Sequence, residues 1–401
     1  MTASRPGRTG PIDLIERPRV AEVVRTFVGS ARERHTFTRR QNTILDRITR
    51  CETAAMGGHT MPCENCRAPT PVYNSCRDRH CPQCQWSAQN KWVEARQERI
   101  LPVPYFHTVF TLPAEFRPLV AANPSVLYAL LFEAAASTIR TCAADPKRLG
   151  ALPAYTLLLH TWDRALNYHP HIHGVISAGG LTPDENWKAT TRPGRRSFLF
   201  PVGVMRALFN QAFLTGVIDR LWLGDLVVPD SIATTVLDRL RAAARKKWHV
   251  YAKRPFAGAD HVYRYLGRYT HRVGISNSRI IAVDGDDVRF HTKDGKVVCI
   301  AGVEFVRRFA QHILPKGFTR IRHFGLLAPA HVNTTWHRAH AQLVPAQATP
   351  PPTASAADHA DPDLAADARP ALPEPRPHLC DRCRALASAR ARDPPPPPGP
   401  P

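Results

Sequence analysis

The sequence predicts an α+β protein, an antiparallel sheet with flanking helices, preceded by a small zinc-binding module. Three observations carry this. Short β-rich runs bounded by turn residues alternate with longer segments of helical periodicity. Two of those runs, YTLLLHTW (155–162) and HIHGVISAGG (171–180), are joined by a short loop and read as a hairpin. Six of the ten cysteines fall within residues 51–84, a stretch with too few apolar side chains for a core of its own.

Taken in order, residues 13–50 place apolar side chains at three and four spacing with arginines opposite, which predicts helix. Residues 51–96 are rich in Cys, His and Gly. YFHTVFTLP (105–113) reads as a buried strand and residues 123–146 as a helix, followed by the hairpin. Residues 201–222 and 231–248 are further helices. Residues 279–302 hold two Asp/Gly turns between β-rich runs, which predicts a meander, and 304–314 a short helix. The expected division is an N-terminal helical segment (1–50), a zinc module (51–99), a catalytic domain (100–330) and a Pro-rich tail (343–401). Sixteen of the 38 prolines lie from Pro345 onward, and such a tail buries too little apolar surface to fold.

The formal charge is +21, from 54 Lys and Arg against 33 Asp and Glu. A charge of that size points to a polyanion, and arginine forks match phosphate oxygens, so DNA is the expected partner. Arg239, Arg241, Arg245, Lys246 and Lys247 lie on one predicted helix that could track a phosphate backbone, and Arg67, Arg77 and Arg79 make the cysteine module basic. No window approaches about 18 consecutive apolar residues, and the first residues lack the apolar stretch of a signal peptide. The expected setting is the cytoplasm, with no membrane partner and with action at the nucleoid.

Cys63-x-x-Cys66 and Cys81-x-x-Cys84 form two knuckles, each placing two thiolates at adjacent corners of a tetrahedron, which predicts structural zinc. Cys51, His59, Cys76 and His80 are four more candidate ligands, enough for one or two closed sites. Cys380-x-x-Cys383, in the tail, is half a site without a partner knuckle.

His171-Ile172-His173 sets two imidazoles on one face of a strand with an apolar residue between them. His160, on the neighbouring strand of the hairpin, can lie across from the pair and complete a three-ligand face with positions left open to a substrate. His169 precedes Pro170 at the strand's entry and reads as structural. In HVYRYLGRYTHR (261–272), Tyr265 and Tyr269 share a helix face at i, i+4, among Arg264, Arg268 and Arg272. That spacing fits paired core aromatics as well as it fits nucleophiles.

FHTVFTLP, LHTW, HPHIHG, VYAK-x-PF (250–256), RYLGRYTHRVGISN and LPKGFTRIRHFGLL, met in this order, resemble the rolling-circle transposases of the IS91 kind, within the HUH (His-hydrophobic-His) endonucleases. SCRDRHCPQCQ is similar to the zinc module that precedes their catalytic domain, and the resemblance spans roughly residues 40–330. It implies that His171 and His173 bind Mg²⁺ or Mn²⁺ and that Tyr265 and Tyr269 are the catalytic tyrosines. It implies nicking of single-stranded DNA at insertion-sequence ends through a 5′-phosphotyrosine, and strand transfer to a target. Two departures stand out: Asp163-Arg164 follows HTW where relatives carry Gly-Gln, and Tyr168 stands where a further histidine is expected. The third metal ligand is therefore His160 or Asp163. A zinc-dependent DNA-binding regulator without catalysis, and a plasmid relaxase or replication initiator with the same HUH chemistry, are the competing readings. The zinc module and RYLGRYTHR favour the transposase.

Overall fold

The computed structural model describes residues 18–62, 69–84, 99–190, 199–252, 274–292 and 294–344. In chain order its helices and strands begin with α1 (Val20–Arg34), α2 (Arg39–Arg50), β1 (Gly58–Pro62), β2 (Pro69–Tyr73) and β3 (Tyr105–Thr111). There follow α3 (Arg117–Ala122), α4 (Pro124–Ala144), β4 (Leu152–Trp162), β5 (Tyr168–Leu181), β6 (Trp187–Ala189), α5 (Val202–Trp222) and α6 (Val236–Arg245). The last are β7 (Val250–Ala252), β8 (Ile280–Asp284), β9 (Asp287–His291), β10 (Val297–Ala301), α7 (Gly302–Ala310), β11 (Ile321–Gly325) and α8 (Thr335–Leu343).

The expected α+β class holds. The main sheet runs β11-β4-β5-β3-β7, with β6 paired to β5 at one end, and every pairing is antiparallel. Strand alternation gives it two unlike faces. Phe106, Phe110, Leu157, Leu159, Ile172 and Ile176 point to the face covered by α4, α5 and α6, where they build the larger core with Phe209, Phe213 and Trp248. The opposite face carries His107 on β3, His160 on β4, and His171 and His173 on β5. Among the described residues, α4 is the one helix long and apolar enough to cross a membrane by length and composition, and 67% of its apolar window is buried within the fold.

The helical stretch expected over 13–50 is two helices. The break at Thr38 is a capping box: Thr38 Oγ1 accepts from the Gln41 backbone N–H at 3.2 Å, and Gln41 Oε1 accepts from the Thr38 backbone N–H at 2.8 Å. The meander reads out as β8–β9–β10, ordered β10-β9-β8. It does not join the main sheet. It packs with α7 against α1 and α2, and Val23, Val24, Phe27, Ile44 and Ile48 share a second core with Ile280, Val288, Phe290, Phe305 and Phe309. Gly302 permits this closeness, since a Cβ there would fall 2.3 Å from Cδ2 of Phe27. The first helices and the last third of the chain thus share one hydrophobic core.

Candidate active site and metal centres

β4 and β5 pair so that His160 lies directly opposite His171, and His173 opposite Leu158. The period of two then puts His160, His171 and His173 on the face away from the core. Their ligand-competent nitrogens all lie within 4.8 Å of one another. The ring centroids are 4.3 Å apart for His160 and His173, and 4.8 Å for His171 and His173. His160 is buried and stacks on Trp162 at 4.7 Å, with the Arg320 guanidinium 5.9 Å from the Trp162 ring.

The spacing of the nitrogens fits a divalent ion with further positions left for oxygen ligands. His171 Nε2 and His173 Nε2 are 3.0 Å apart. Two neighbouring ligands of an octahedral ion bound at about 2.1 Å stand about 3.0 Å apart. His171 donates its Nδ1–H to the His169 carbonyl at 2.6 Å. A carbonyl oxygen only accepts, so the proton is on Nδ1 and the Nε2 lone pair faces the cluster.

Of the two candidates for a third ligand, the structure brings His160 to the pair. Asp163 is turned into the β4–β5 connection, where Oδ1 accepts from the Ala165 and Asn167 backbone N–H groups at 2.8 and 2.9 Å, and Oδ2 from the Asn167 side chain at 2.9 Å. Tyr168 points to the core, its hydroxyl 2.7 Å from that of Tyr128, and burial pushes it well above the usual phenol range. His169 contacts Arg117 at 3.2 Å, and burial depresses its pKa.

One imidazole of this face was not singled out by the sequence. His107 Nε2 is 2.9 Å from His173 Nδ1, with the two rings nearly parallel and 5.2 Å apart. The alternation in YFHTVFT puts His107 on this face, but only the pairing of β3 with β5 brings it to His173.

Among the described residues, four of the eight predicted zinc ligands come together. Cys51, Cys76, Cys81 and Cys84 form a four-thiol cluster with Sγ···Sγ separations of 3.6 Å for Cys51–Cys84, Cys76–Cys84 and Cys51–Cys81. A tetrahedral zinc with Zn–S of about 2.3 Å sets its sulfurs about 3.8 Å apart, so the set fits that ion. Cys51 caps the C-terminus of α2, Cys76 follows β2, and Cys81 and Cys84 are the knuckle. Glu52 and Arg77, which follow Cys51 and Cys76, take left-handed backbone with φ of 56° and 51°. Each such non-glycine residue costs about 1–2 kcal/mol, strain that a closed metal site can hold in place.

His80 is a correction. Both ring nitrogens engage protein partners: Nδ1–H donates to Asp78 at 2.8 Å, and Nε2 accepts from the Leu314 backbone N–H at 3.1 Å. It is fully buried, its pKa is lowered by that burial, and it anchors the cysteine module to the loop after α7. Arg79 does the same, donating to the Phe318 and Pro315 carbonyls at 2.7 and 3.2 Å. His59 is exposed on β1 and is not among the clustered ligands. Cys63, Cys66, Tyr265, Tyr269, Arg264, Arg268, Arg272 and the tail with Cys380 and Cys383 lie outside the described residues. In the basic run at 239–247, Arg241 pairs with Asp238 at 2.9 Å and Lys246 pairs with Glu115, so part of that charge is met within the protein.

Comparison with known proteins places these features. A family described as "Transposase zinc-binding domain" matches residues 23–112, and one described as "Putative transposase" matches residues 154–335. The protein y4qJ of Sinorhizobium fredii, which carries the same description as the second family, is 41% identical over 322 residues, covering 77% of this chain and 80% of that one. The transposase for insertion sequence element IS801 of Pseudomonas savastanoi pv. phaseolicola is 30% identical over 309 residues, covering 71% of this chain and 69% of that one. A solved structure of the conjugative relaxase TrwC with mutant OriT DNA covers 40% of this chain and 71% of that one at 14% identity, with a TM-score of 0.21, too distant to add weight.

Proposed function

The chain belongs to the IS91 family of transposases, and from that premise we propose that it nicks single-stranded DNA at insertion-sequence ends with a tyrosine nucleophile. The observation that carries the reading is the convergence of His160, His171 and His173 on the face of the sheet away from the larger core. These three residues hold Mg²⁺ or Mn²⁺, which when bound supplies Lewis acidity toward the scissile phosphodiester. Tyr265 or Tyr269 supplies the attacking oxygen, and the other tyrosine serves the later strand transfer to the target. As the tyrosyl O–P bond forms, the P–O3′ bond breaks. The phenol loses its proton and the departing 3′ oxygen gains one. The products are a 5′-phosphotyrosine and a free 3′-hydroxyl. Arg264, Arg268 and Arg272 bind the phosphate oxygens. Cys51, Cys76, Cys81 and Cys84 hold a structural zinc that fixes the N-terminal module beside the catalytic sheet, and the work is done at the nucleoid.

The test is a denaturing gel of protein incubated with labelled single-stranded DNA carrying the element's terminus and Mg²⁺ or Mn²⁺. A metal-dependent covalent adduct is expected, lost in the Y265F/Y269F double variant and in H171A and H173A while DNA is still bound. Bound DNA without any adduct refutes the proposal and leaves a DNA-binding role. An adduct that persists in H171A and H173A refutes the assignment of the metal site.

A further inference from the structure

Strand β7 and the residue before it set two rings on the face that holds the histidines. Val250 and Ala252 point into the larger core. Alternation therefore sends His249 and Tyr251 to the opposite face, the one with His160, His171 and His173. The ladders fix where on that face they stand. Val109 on β3 pairs with Tyr251 on one side and His173 on the other, so the three form one row across the sheet. The Thr111 backbone N–H donates to the His249 carbonyl at 3.0 Å, and Thr111 pairs with His171, which makes His249, Thr111 and His171 the next row. In each row two strand spacings, about 10 Å, separate the ring's backbone from that of the histidine. The residue between them, Val109 or Thr111, has a short side chain. The rings of His249 and Tyr251 are parallel to within 5°, with centroids 6.4 Å apart. Tyr251 makes a further contact within the protein and is still 42% exposed, and His249 is exposed as well.

We propose that His249 and Tyr251 are substrate-positioning residues: bases beside the scissile phosphate stack on these two rings while that phosphate sits at the histidine cluster. The proposal deepens the nicking reading and rests on it. Three arguments support it. The first is place, since both rings share rows with His171 and His173 at a distance that adjoining nucleotides can span. The second is chemistry. Every base of a single strand has a π face to stack on an aromatic ring, whereas a duplex keeps its bases paired and stacked inside. Two parallel surface rings therefore favour a single strand over a duplex. The third is charge. Arg245 and Lys247, just before His249, are exposed and suit the phosphates that flank a stacked base. Along the sequence the rings fall between this basic run and the segment with Tyr265 and Tyr269.

The experiment measures binding of a labelled single strand carrying the element's terminus, by fluorescence anisotropy without divalent ion, to wild type, Y251A, Y251F and H249A. Each protein is also given a set of strands with one abasic position apiece, stepped through the region of the nick. Y251A is expected to bind the intact strand about 5- to 150-fold more weakly, and Y251F to stay within about threefold of wild type because its stacking face is kept. In wild type one abasic position should weaken binding by a factor similar to Y251A. At that position Y251A should lose less than about twofold more, since ring and base act as one pair. H249A should show the same coupling there or at the neighbouring position. A variant that merely folds poorly weakens every strand alike and keeps the wild-type penalty at each abasic position, so either alanine variant behaving in that way overturns the proposal. So does Y251A binding the intact strand as wild type does, or Y251F losing as much as Y251A. A wild-type protein that binds the single strand but forms no metal-dependent adduct on it overturns the nicking reading instead, and is distinct from these outcomes.

Discussion

Replacing Gly174 with alanine tests the fit of the strand that carries the histidine pair. Gly174 follows His173 and faces the core, where a Cβ would fall 2.5 Å from Thr108 Oγ1 and 3.1 Å from Leu157 Cδ2. The first contact is short by about 1 Å of ordinary van der Waals distance. Thr108 cannot give way cheaply, being fully buried and β-branched. Overpacking of this kind costs about 1–3 kcal/mol. Replacing a glycine recovers about 0.4–1 kcal/mol through the unfolded chain. The net expectation for G174A is a loss of about 1–2 kcal/mol, read in a urea titration as a lower midpoint with an unchanged slope. Adding T108A removes the obstructing oxygen. Its bond to the Gly174 carbonyl is long, at 3.4 Å, so T108A alone is expected to cost no more than about 1 kcal/mol. The double variant should therefore be more stable than the sum of its parts by about 1 kcal/mol or more. G174A as stable as wild type, or strict additivity in the cycle, refutes this account of the strand.

Native mass spectrometry should find zinc retained at the four-thiol cluster in C63S/C66S and lost from it in C81S, because Cys51 and Cys76 complete the set; zinc lost equally in both variants would return the site to the two-knuckle arrangement. His312 is wholly buried, with Nδ1 accepting from Thr161 Oγ1 at 3.1 Å and Nε2–H donating to the Leu166 carbonyl at 3.2 Å, and burial lowers its pKa to about 4. The unfolded chain then binds the proton more readily than the folded one, so stability is full above pH of about 6.5 and falls by about 3 kcal/mol as pH drops to about 4. H312Q should flatten that part of the stability–pH curve, and an unchanged slope sinks the assignment. W248A removes a ring buried among Phe116, Phe209 and Phe213 and should cost about 3–5 kcal/mol in thermal or urea melts; a loss under about 1 kcal/mol would mean this core is not packed as described.

How much of this was legible depends on sequence distance. The hairpin was readable because its strands adjoin, and with it the placing of His160 across from His171. His107 was not, because its contact to His173 spans 66 residues and depends on the β3–β5 register, which no local pattern encodes. The spacing of a CxxC knuckle shows that two thiolates can share an ion but not which others close it. Here the base of the β1–β2 hairpin decides, where the Glu52 backbone N–H donates to the Asn74 carbonyl at 3.1 Å and brings Cys51 up to Cys76. His80 has the composition of a ligand, and only the folded position of Leu314 shows that its second nitrogen is taken. The break between α1 and α2 was missed, because Thr38-x-x-Gln41, a capping signal, sits inside an otherwise continuous helical pattern.

The core shared by α1, α2, α7 and the meander carries a consequence for the making of the protein. The Val20 backbone N–H donates to Asn277 at 3.0 Å across 257 residues of chain. Ribosomes add roughly 5–20 residues per second, so α1 and α2 emerge and then wait on the order of 10–50 s for the strands that cover them. During that interval Val23, Val24 and Phe27 are exposed to chaperones, and a zinc ion taken up by Cys51, Cys76, Cys81 and Cys84 can already pin the end of α2. A chain cut short before the meander would lack the residues that cover Val23, Val24 and Phe27.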